Sequence, residues 1–565
     1  MQIEQTDALK LAVTRPLVTR SCSVDSGVPP HLPTLGRSLS ASAAKAEGAL
    51  PSEVVVKIEC WYTMPSYDMP WQGGGMHGQR SGTGFSIGGR RLVTNAHVVE
   101  MAALLQVQKQ DDPRKFAARV ACIAHDLDLA IVEVDDQAFW DGFEAYVVEL
   151  DPHNFPELFA EVKVVGFPLG GDTVCVTKGI VSRVDAQVYA HAHQGLGIDV
   201  KSGLPPLPVV QIDSAINGGN SGGPAFDSHG RVVGVVSSGV SGAQNIGYVI
   251  PVSILRLFCD EYQQTRTWSG VSEMGVSTIN LESSGLRAFL GLPESATGVL
   301  VDDVAPRSAL RDVLRNGDII THVDGLRVSN DGKVPLSLRG GHVVFVNLAV
   351  IAACKRRAMS TELSVLRCDD AGARVLTSVS AVCTPIAPLV PRFHEEGTLP
   401  AFVIIGGLVF TRLASPLIRE LTTKNEELPI ELCLRLKDAL DAHKQDATDE
   451  LVMLWHIMPH DVNEGCAKHR CSILSAVDEM PIKNLRALAE HYAKIIKDES
   501  AERFVRFRFT NLSKQKTSPD AVLERATLRA ANSAICSTYS IPSLVSMDFA
   551  PLFDTDISRP GCSIC

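Results

Sequence analysis

The chain has 565 residues, enough for about three or four domains at ~150 residues each. With 45% hydrophobic and 21% charged residues it has the balance of soluble globular domains, which excludes a fibrous or wholly disordered protein. A formal net charge of −11 argues against general nucleic-acid binding.

Residues 1–50 are rich in Ser and Ala, carry Pro29-Pro30 and few aromatics, and read as a disordered extension. Arg15, Arg20 and Arg37 among serines suit an organelle transit peptide, whereas Glu4 and Asp7 oppose it. From Glu53 the sequence turns strand-rich, beginning with Val54–Ile58. Gly88-Gly89 separates Thr83–Ile87 from Arg91–Thr94, a hairpin signal. Further runs lie at Phe116–Ile123, Ala130–Val134, Val162–Val165, Val174–Val184, Val209–Ile212, Val232–Ser237 and Asn245–Ile250. Many short strands with frequent turns predict an all-β barrel or sandwich. Pro251 opens a helix with Val252, Leu255, Phe258 and Tyr262 on one face, which closes the domain 51–268. The glycine-rich loop Met64–Ser81 reads as a mobile surface loop.

A second unit, 269–383, has strands at Gly298–Val301, Gly317–Ile320 and Glu362–Leu366, a turn at Asp324-Gly325, and a helix expected over Val343–Arg357. A small β-rich module of this kind suits peptide binding at a sheet edge. The third unit, 384–550, opens with the run Phe402–Phe410, read as a strand pair or bent strand. Helices are expected at Pro416–Glu420, Ile430–His443, Asn484–Lys497 and Ala521–Ile535, and strands at Leu451–Ile457, Ser472–Val477 and Phe504–Phe509. Its order of elements makes it a diverged copy of the second unit, and 551–565 is left as a flexible tail. The 14 cysteines stand mostly alone in apolar runs and read as reduced thiols in a reducing, intracellular compartment. Four-ligand zinc spacing is absent around Cys466, His469 and Cys471, so no metal or cofactor is expected. The longest apolar stretch, Val343–Cys354, is far short of the ~20 residues of a membrane span, and no secretory signal is evident.

The chemistry centres on Gly218-Gly219-Asn220-Ser221-Gly222-Gly223-Pro224. Glycines on both sides let such a loop expose one hydroxyl and aim neighbouring N–H groups at a common point, as a serine nucleophile with an oxyanion hole requires. Upstream, His97 ends an apolar run and Asp128 stands at the mouth of another, so the order is His, Asp, Ser. A base must take the serine proton and a carboxylate must hold the imidazole in the right tautomer. Asp128, immediately before Leu-Ala-Ile-Val, fits that role better than Asp126. Gly219–Gly223 also fits the nucleophile elbow of α/β-hydrolases. That elbow needs a following helix and a later acid and histidine. Here a turn and the strand-like Arg231–Val236 follow instead.

Thr94-Asn95-Ala96-His97, Asp128-Leu129-Ala130, Ile212–Asn217, Gly219–Pro224 and Asn245–Pro251 resemble the Deg/HtrA serine proteases. Gly166–Asp172 and the Gly406–Phe410 run are most similar to the plant-type eukaryotic branch, with its nucleolar and organellar members. The resemblance spans roughly residues 53–550 and implies a mostly β protein: a chymotrypsin-like double β-barrel followed by two α+β PDZ-like domains. It implies ATP-independent endoproteolysis of unfolded or damaged proteins, in trimers or hexamers. By the same resemblance Ser221 is the nucleophile, His97 the base and acid, and Asp128 its orienting carboxylate. The N–H groups of Gly219 and Ser221, together with Asn220, form the oxyanion hole. Ser237, Ser238 and Gly239 pair with substrate backbone. Ile246, Gly247, Tyr248 and Val249 shape a pocket for a modest apolar side chain. Met274-Gly275-Val276 is the carboxylate loop of the first PDZ unit, with Glu273 ill-placed beside it. Gly406–Phe410 serves as the equivalent loop or, preferably, as an oligomer contact. The insertion Gln194–Pro208 reads as an adjustable loop near the site. The competing class is a PDZ scaffold or holdase with a latent or self-inhibited protease domain.

Overall fold

A computed structural model describes residues 52–553, apart from 144–147, 152, 169–170, 190–203, 240–244, 371, 396, 425–429, 498–501 and 511–519. The N-terminal extension, most of the tail and most of the 194–208 insertion therefore lie outside the described residues.

Six strands close the first barrel: β1 (Val55–Thr63), β2 (His77–Gly88), β3 (Arg91–Thr94), β4 (Ala102–Lys109), β5 (Phe116–Ala124) and β6 (Leu129–Glu133), in the order β1-β2-β3-β6-β5-β4. Alternate residues of β1, Val56, Ile58 and Cys60, point inward and meet Leu92, Val107, Phe116 and Val132. The β2–β3 hairpin turns through Gly88, Gly89 and Arg90, all at positive φ. A one-turn helix α1 (Ala96–Val99) follows β3, and α2 (Gln137–Trp140) follows β6. The second barrel comprises β7 (Glu161–Gly166), β8 (Cys175–Gln187), β9 (Leu207–Ile212), β10 (Pro224–Phe226), β11 (Val232–Gly239) and β12 (Gly247–Pro251), in the order β10-β11-β12-β9-β8-β7. Helix α3 (Val252–Thr265) buries Ile254, Leu255, Phe258 and Tyr262 in the cluster that joins the barrels, with Phe85, Leu127, Phe167 and Phe226.

The middle unit contains β13 (Val276–Asn280), α4 (Ser284–Phe289), β14 (Val299–Val304), β15 (Ile319–Val323), β16 (Leu326–Arg327), β17 (Lys333–Ser337), β18 (Val343–Asn347), α5 (Ala349–Ala353), β19 (Thr361–Cys368) and β20 (Arg374–Ala381). Its main sheet runs β13-β14-β15-β19-β20, leaving β13 at an edge. The helix expected over Val343–Arg357 is mostly something else. Its β-branched and aromatic first half, Val-Val-Phe-Val, pairs with β17, and only five residues are helical. Leu336 and Val344 of this hairpin pack on the interior cluster of the second barrel.

The third unit contains β21 (Phe402–Ile405), β22 (Leu408–Arg412), α6 (Ser415–Lys424), α7 (Ile430–Asp441), β23 (Val452–Ile457), β24 (Ser472–Val477), β25 (Met480–Pro481), α8 (Leu485–Lys497), β26 (Phe504–Thr510), β27 (Ala521–Glu524) and α9 (Leu528–Tyr539). Its sheet runs β21-β22-β23-β24-β26-β27. Ala521–Glu524 is a strand, not the start of the last helix, because its alternate residues Ala521 and Leu523 are buried against β26. Gly406 and Gly407, at φ 55° and 82°, make the tight β21–β22 turn. Leu408, Val409 and Phe410 are wholly buried within the chain, so the run cannot serve as an oligomer contact or an open loop. The edge of β21 is covered by the C-terminal segment: Ile404 N–H donates to the Leu544 carbonyl (2.7 Å) and Ser546 N–H to that of Phe402 (3.0 Å).

The β1–β2 loop also departs from expectation. Instead of a mobile surface loop, β2 already begins at His77, and the preceding residues dock on the third unit. Tyr67 is buried with its hydroxyl 2.6 Å from His394 Nδ1, Asp68 Oδ1 lies 2.5 Å from His456 Nε2, and Trp71 stands edge-on to Phe402. Two aromatics and the Asp68–His456 contact hold the residues before Gly73-Gly74-Gly75 in place. Among the described residues no helix is long and apolar enough to cross a membrane.

Candidate active site

The site forms where the two barrels meet. Asp128 ends the β5–β6 turn in a left-handed conformation, φ 51°, with its side chain buried. Its carboxylate is saturated: Oδ1 accepts the His97 backbone N–H (3.1 Å) and lies 2.8 Å from His97 Nδ1, while Oδ2 accepts the Ser237 hydroxyl (2.8 Å). The Asp128 carbonyl accepts Asn95 Nδ2 at 2.8 Å, so helix α1 and the acid are held as one piece. Since the carboxylate only accepts, Nδ1 of His97 carries the proton and Nε2 is left as the basic nitrogen. Asp126 points elsewhere, accepting the Trp268 indole N–H and the Val271 N–H, both at 2.8 Å.

Ser221 sits on a loop clamped from both barrels. Its carbonyl accepts Thr83 N–H (2.9 Å), Gly222 N–H donates to Val236 (2.8 Å), and the Gly219 carbonyl accepts Thr83 Oγ1 (2.6 Å). Thr94 Oγ1 in turn donates to the Thr83 carbonyl at 2.7 Å. Gly222 is required: at φ 84°, a Cβ would lie 2.1 Å from the Thr83 carbonyl oxygen. The clamping roles of Thr83 and of Thr94, the first residue of the Thr94–His97 motif, were not anticipated, and their signal was small polar residues inside strands otherwise built to be buried. The Ser221 hydroxyl donates to the Ser237 carbonyl (2.9 Å). Its single proton must leave that carbonyl before it can be passed to an imidazole.

The N–H groups of Gly219 and Ser221 meet no acceptor among the described residues, and Gly219 has φ 102°. The Asn220 N–H is turned elsewhere, closing a turn onto the Asn217 carbonyl (3.0 Å).

Strand β10 pairs with β11 only as far as Val235, and Val236 bonds to Gly222 and Gly223 of the Ser221 loop. Beyond that, Ser238 and Gly239 pair, among the described residues, with β12 only, and the adjacent Ser237 carbonyl is the one that meets the Ser221 hydroxyl. Of the four residues expected to shape the pocket, Val249 is buried inside the second barrel and half-buried Tyr248 packs against the cluster between the barrels. Side chains alternate along a strand, so Val249 shares a face with Gly247 while Tyr248 lies on the opposite one. The space over Gly247 is filled by Ile216, whose Cδ1 would lie 2.3 Å from an added Cβ. Ile216 was not singled out from sequence, although it stands inside the Ile212–Asn217 motif.

Met274 is buried and its carbonyl accepts Ser308 Oγ (2.5 Å); Gly275 has φ 61° and its carbonyl accepts Ala305 N–H (2.7 Å). Val276 opens edge strand β13. Beside them Glu273 has a mostly buried side chain, and burial pushes its carboxyl up to about 7 against the pull of Arg392 at 3.9 Å. His97 and Asp128 also line a cavity of about 400 Å³ walled by Tyr67, Met76, His125, Phe393 and Arg419, which joins the first barrel to the third unit.

Residues 82–235 match the sequence profile of the trypsin-like peptidase domain and residues 390–548 that of the PDZ domain. Protease Do-like 2, chloroplastic, of Arabidopsis thaliana is 33% identical over 541 residues, covering 94% of this chain and 81% of its own length. Protease Do-like 4, mitochondrial, of the same plant is 31% identical over 495 residues, covering 88% and 85%. Among solved structures, the HtrA-type protease AlgW with a decapeptide aligns with a TM-score of 0.41 at 22% identity, over 59% of this chain and 96% of that one.

Proposed function

The chain belongs to the Deg/HtrA family of serine endopeptidases with PDZ domains, and from that premise we propose that it cleaves unfolded or damaged proteins without ATP, in protein quality control. The observation that carries the reading is the pairing of His97 Nδ1 with the buried Asp128 carboxylate, on the barrel seam that also holds Ser221. In this reading residues 51–268 are the protease domain, 269–383 the first PDZ domain and 384–550 the second. Ser221 attacks the scissile carbonyl, His97 Nε2 takes its proton and returns it to the leaving amine, and Asp128 stabilises the imidazolium. The N–H groups of Gly219 and Ser221 receive the oxyanion. Substrate backbone adds to the edge of Ser238-Gly239, and its side chain meets Ile216, which supports selection of a small apolar group. The Met274–Val276 loop and edge strand β13 take up peptide ends. Assembly into trimers or hexamers completes the reading, and a monomeric mass in solution would remove that part. The relatives named chloroplastic and mitochondrial support an organelle, and none of those reported supports the nucleolar alternative.

The hydrogen bond from Ser221 to the Ser237 carbonyl favours a second reading of the resting state, in which the site is self-inhibited until substrate or assembly releases the hydroxyl. Digestion of casein by the wild type and by Ser221→Ala tests both, with product ends read by mass spectrometry. Loss of the triad is worth on the order of 10⁶ in turnover. Cleavage after small apolar residues that vanishes in the variant is expected. Cleavage surviving in the variant, or only after basic residues, would overturn the assignment. A wild type active only with added C-terminal peptides would establish the self-inhibited state.

A further inference from the structure

The turn His125-Asp126-Leu127-Asp128 carries more than the acid of the site. Asp128 closes it in the left-handed region, where a residue with a Cβ is held at a cost, so the turn depends on what grips its flanks. Leu127 is fully buried in the cluster between the barrels. The two residues before it are held by the two segments that lead into the later units.

Asp126 is gripped by the segment entering the middle unit. It accepts the Trp268 indole N–H and the Val271 N–H, both at 2.8 Å. Trp268 stands edge-on to Phe258 of α3 and lies under the Arg357 guanidinium of the middle unit, 5.5 Å from the ring centroid. Arg357 also binds the buried Glu261 of α3 (2.8 Å), so this grip moves with the middle unit.

His125 is gripped by the segment entering the third unit. The Phe393 ring stacks on its imidazole, centroids 5.0 Å apart and planes 16° from parallel. Three residues earlier Val390 is wholly buried in the third unit with Leu413, Leu417 and Trp455. One residue later His394 meets Tyr67 of the β1–β2 loop at 2.6 Å. On its other side His125 lies 3.7 Å from Glu100, which caps the helix holding His97. The His125 carbonyl accepts the Asp128 N–H at 3.3 Å.

We infer that Phe393 and Asp126 are positioning residues for the His97–Asp128 pair, and that this turn is a route by which the two later units act on the reaction. The inference rests on the protease reading above. Phe393 touches neither His97 nor Asp128 in any hydrogen bond, and acts by fixing the plane of His125 between the third unit and the α1 cap. Asp126 fixes the other side of the same turn. A shift of about 1 Å in the acid would misalign the imidazole, and displacements of that size cost on the order of 10²-fold in rate.

The test uses the full chain and a chromogenic peptide cut by the wild type. Active sites are counted by stoichiometric fluorophosphonate labelling of Ser221, and melting temperature is recorded for each variant. Phe393→Ala is expected to lower kcat per labelled site by roughly tenfold, with KM and melting temperature close to wild type. Phe393→Tyr keeps a ring over His125 and should recover most of the rate. Asp126→Asn, which retains one acceptor for Trp268 or Val271, should fall between wild type and Asp126→Ala. A purely structural role would change the labelled fraction and the melting temperature but not kcat per site, and that outcome overturns the inference. So does a Phe393→Tyr enzyme as slow as Phe393→Ala. A wild type that neither labels nor turns over would overturn the protease reading and this inference together.

Discussion

Replacing Glu273 by Gln isolates the energetic effect of a single buried carboxyl at the junction of the two later units. The Glu273 side chain is 14% exposed, its backbone N–H bridges to Thr384, and Arg392 comes no nearer than 3.9 Å. That distance is too long for a hydrogen bond, so the attraction is unreinforced and burial dominates. The carboxyl moves from 4.5 to about 7 in the folded chain. Below pH 4.5 the acid is protonated folded or unfolded, and wild type and Glu273→Gln should be equally stable. Between pH 4.5 and 7 the unfolded chain releases the proton while the folded chain retains it, so wild-type stability falls as pH rises. The displacement is worth about 3 kcal/mol once complete. Urea midpoints measured every half pH unit should therefore coincide for the two proteins at pH 4.5 and separate progressively. The Gln variant should be the more stable at pH 8. A separation that does not change with pH, or a wild type that gains on the variant above pH 5, would mean that the Arg392 pairing outweighs burial.

Two further outcomes follow from close geometry. Gly222→Ala places a Cβ 2.1 Å from the Thr83 carbonyl oxygen at a φ of 84°, whereas a Cβ at Gly218 would meet nothing within 4 Å. Turnover of a peptide substrate should fall about 10²-fold or more for the first and little for the second. Equal losses would mean that the loop tolerates neither substitution for a reason other than this packing. Arg357→Ala strips the paired guanidinium from Glu261, whose side chain is 3% exposed. Breaking a buried pair from one side costs about 3–5 kcal/mol, here toward the lower figure because Arg357 is 28% exposed. Limited proteolysis should then cut the 266–272 segment faster. Arg357→Lys should not restore protection, since Arg357 spans Glu261 Oε2, Glu261 Oε1 and the Gly270 carbonyl with one planar fork.

The barrels were legible because their strands are β-branched runs broken by glycine turns, a signal that requires no partner to interpret. Strand β4 was not anticipated, since Leu104 is exposed and Gln106 half-buried, which blurs its alternation. The run from Val343 is apolar enough for either a helix or a strand, and its pairing with Lys333–Ser337 decided the matter. The Ser221 loop could be read because two of its glycines, Gly219 and Gly222, sit at positive φ. The turning of the Asn220 N–H onto Asn217 could not, because it depends on which carbonyl one N–H reaches. Thr83 and Thr94 act through single hydroxyls, whose one trace is a small polar residue in a strand otherwise built to be buried. The docking of the β1–β2 loop was invisible for a different reason: Asp68 meets a partner 388 positions away.

That separation sets an order of events during synthesis. Residues 64–76 cannot complete their docking until His394, Phe402 and finally His456 have been made, so this loop lacks its anchors long after the first barrel has been synthesised. Closing so long a loop is slow compared with forming local hairpins. The wall of the cavity beside His97 is thus among the last parts to assemble. A nascent chain therefore carries all the residues of its active site well before it carries the surroundings that hold them, and a truncated product ending before the third unit lacks those surroundings permanently.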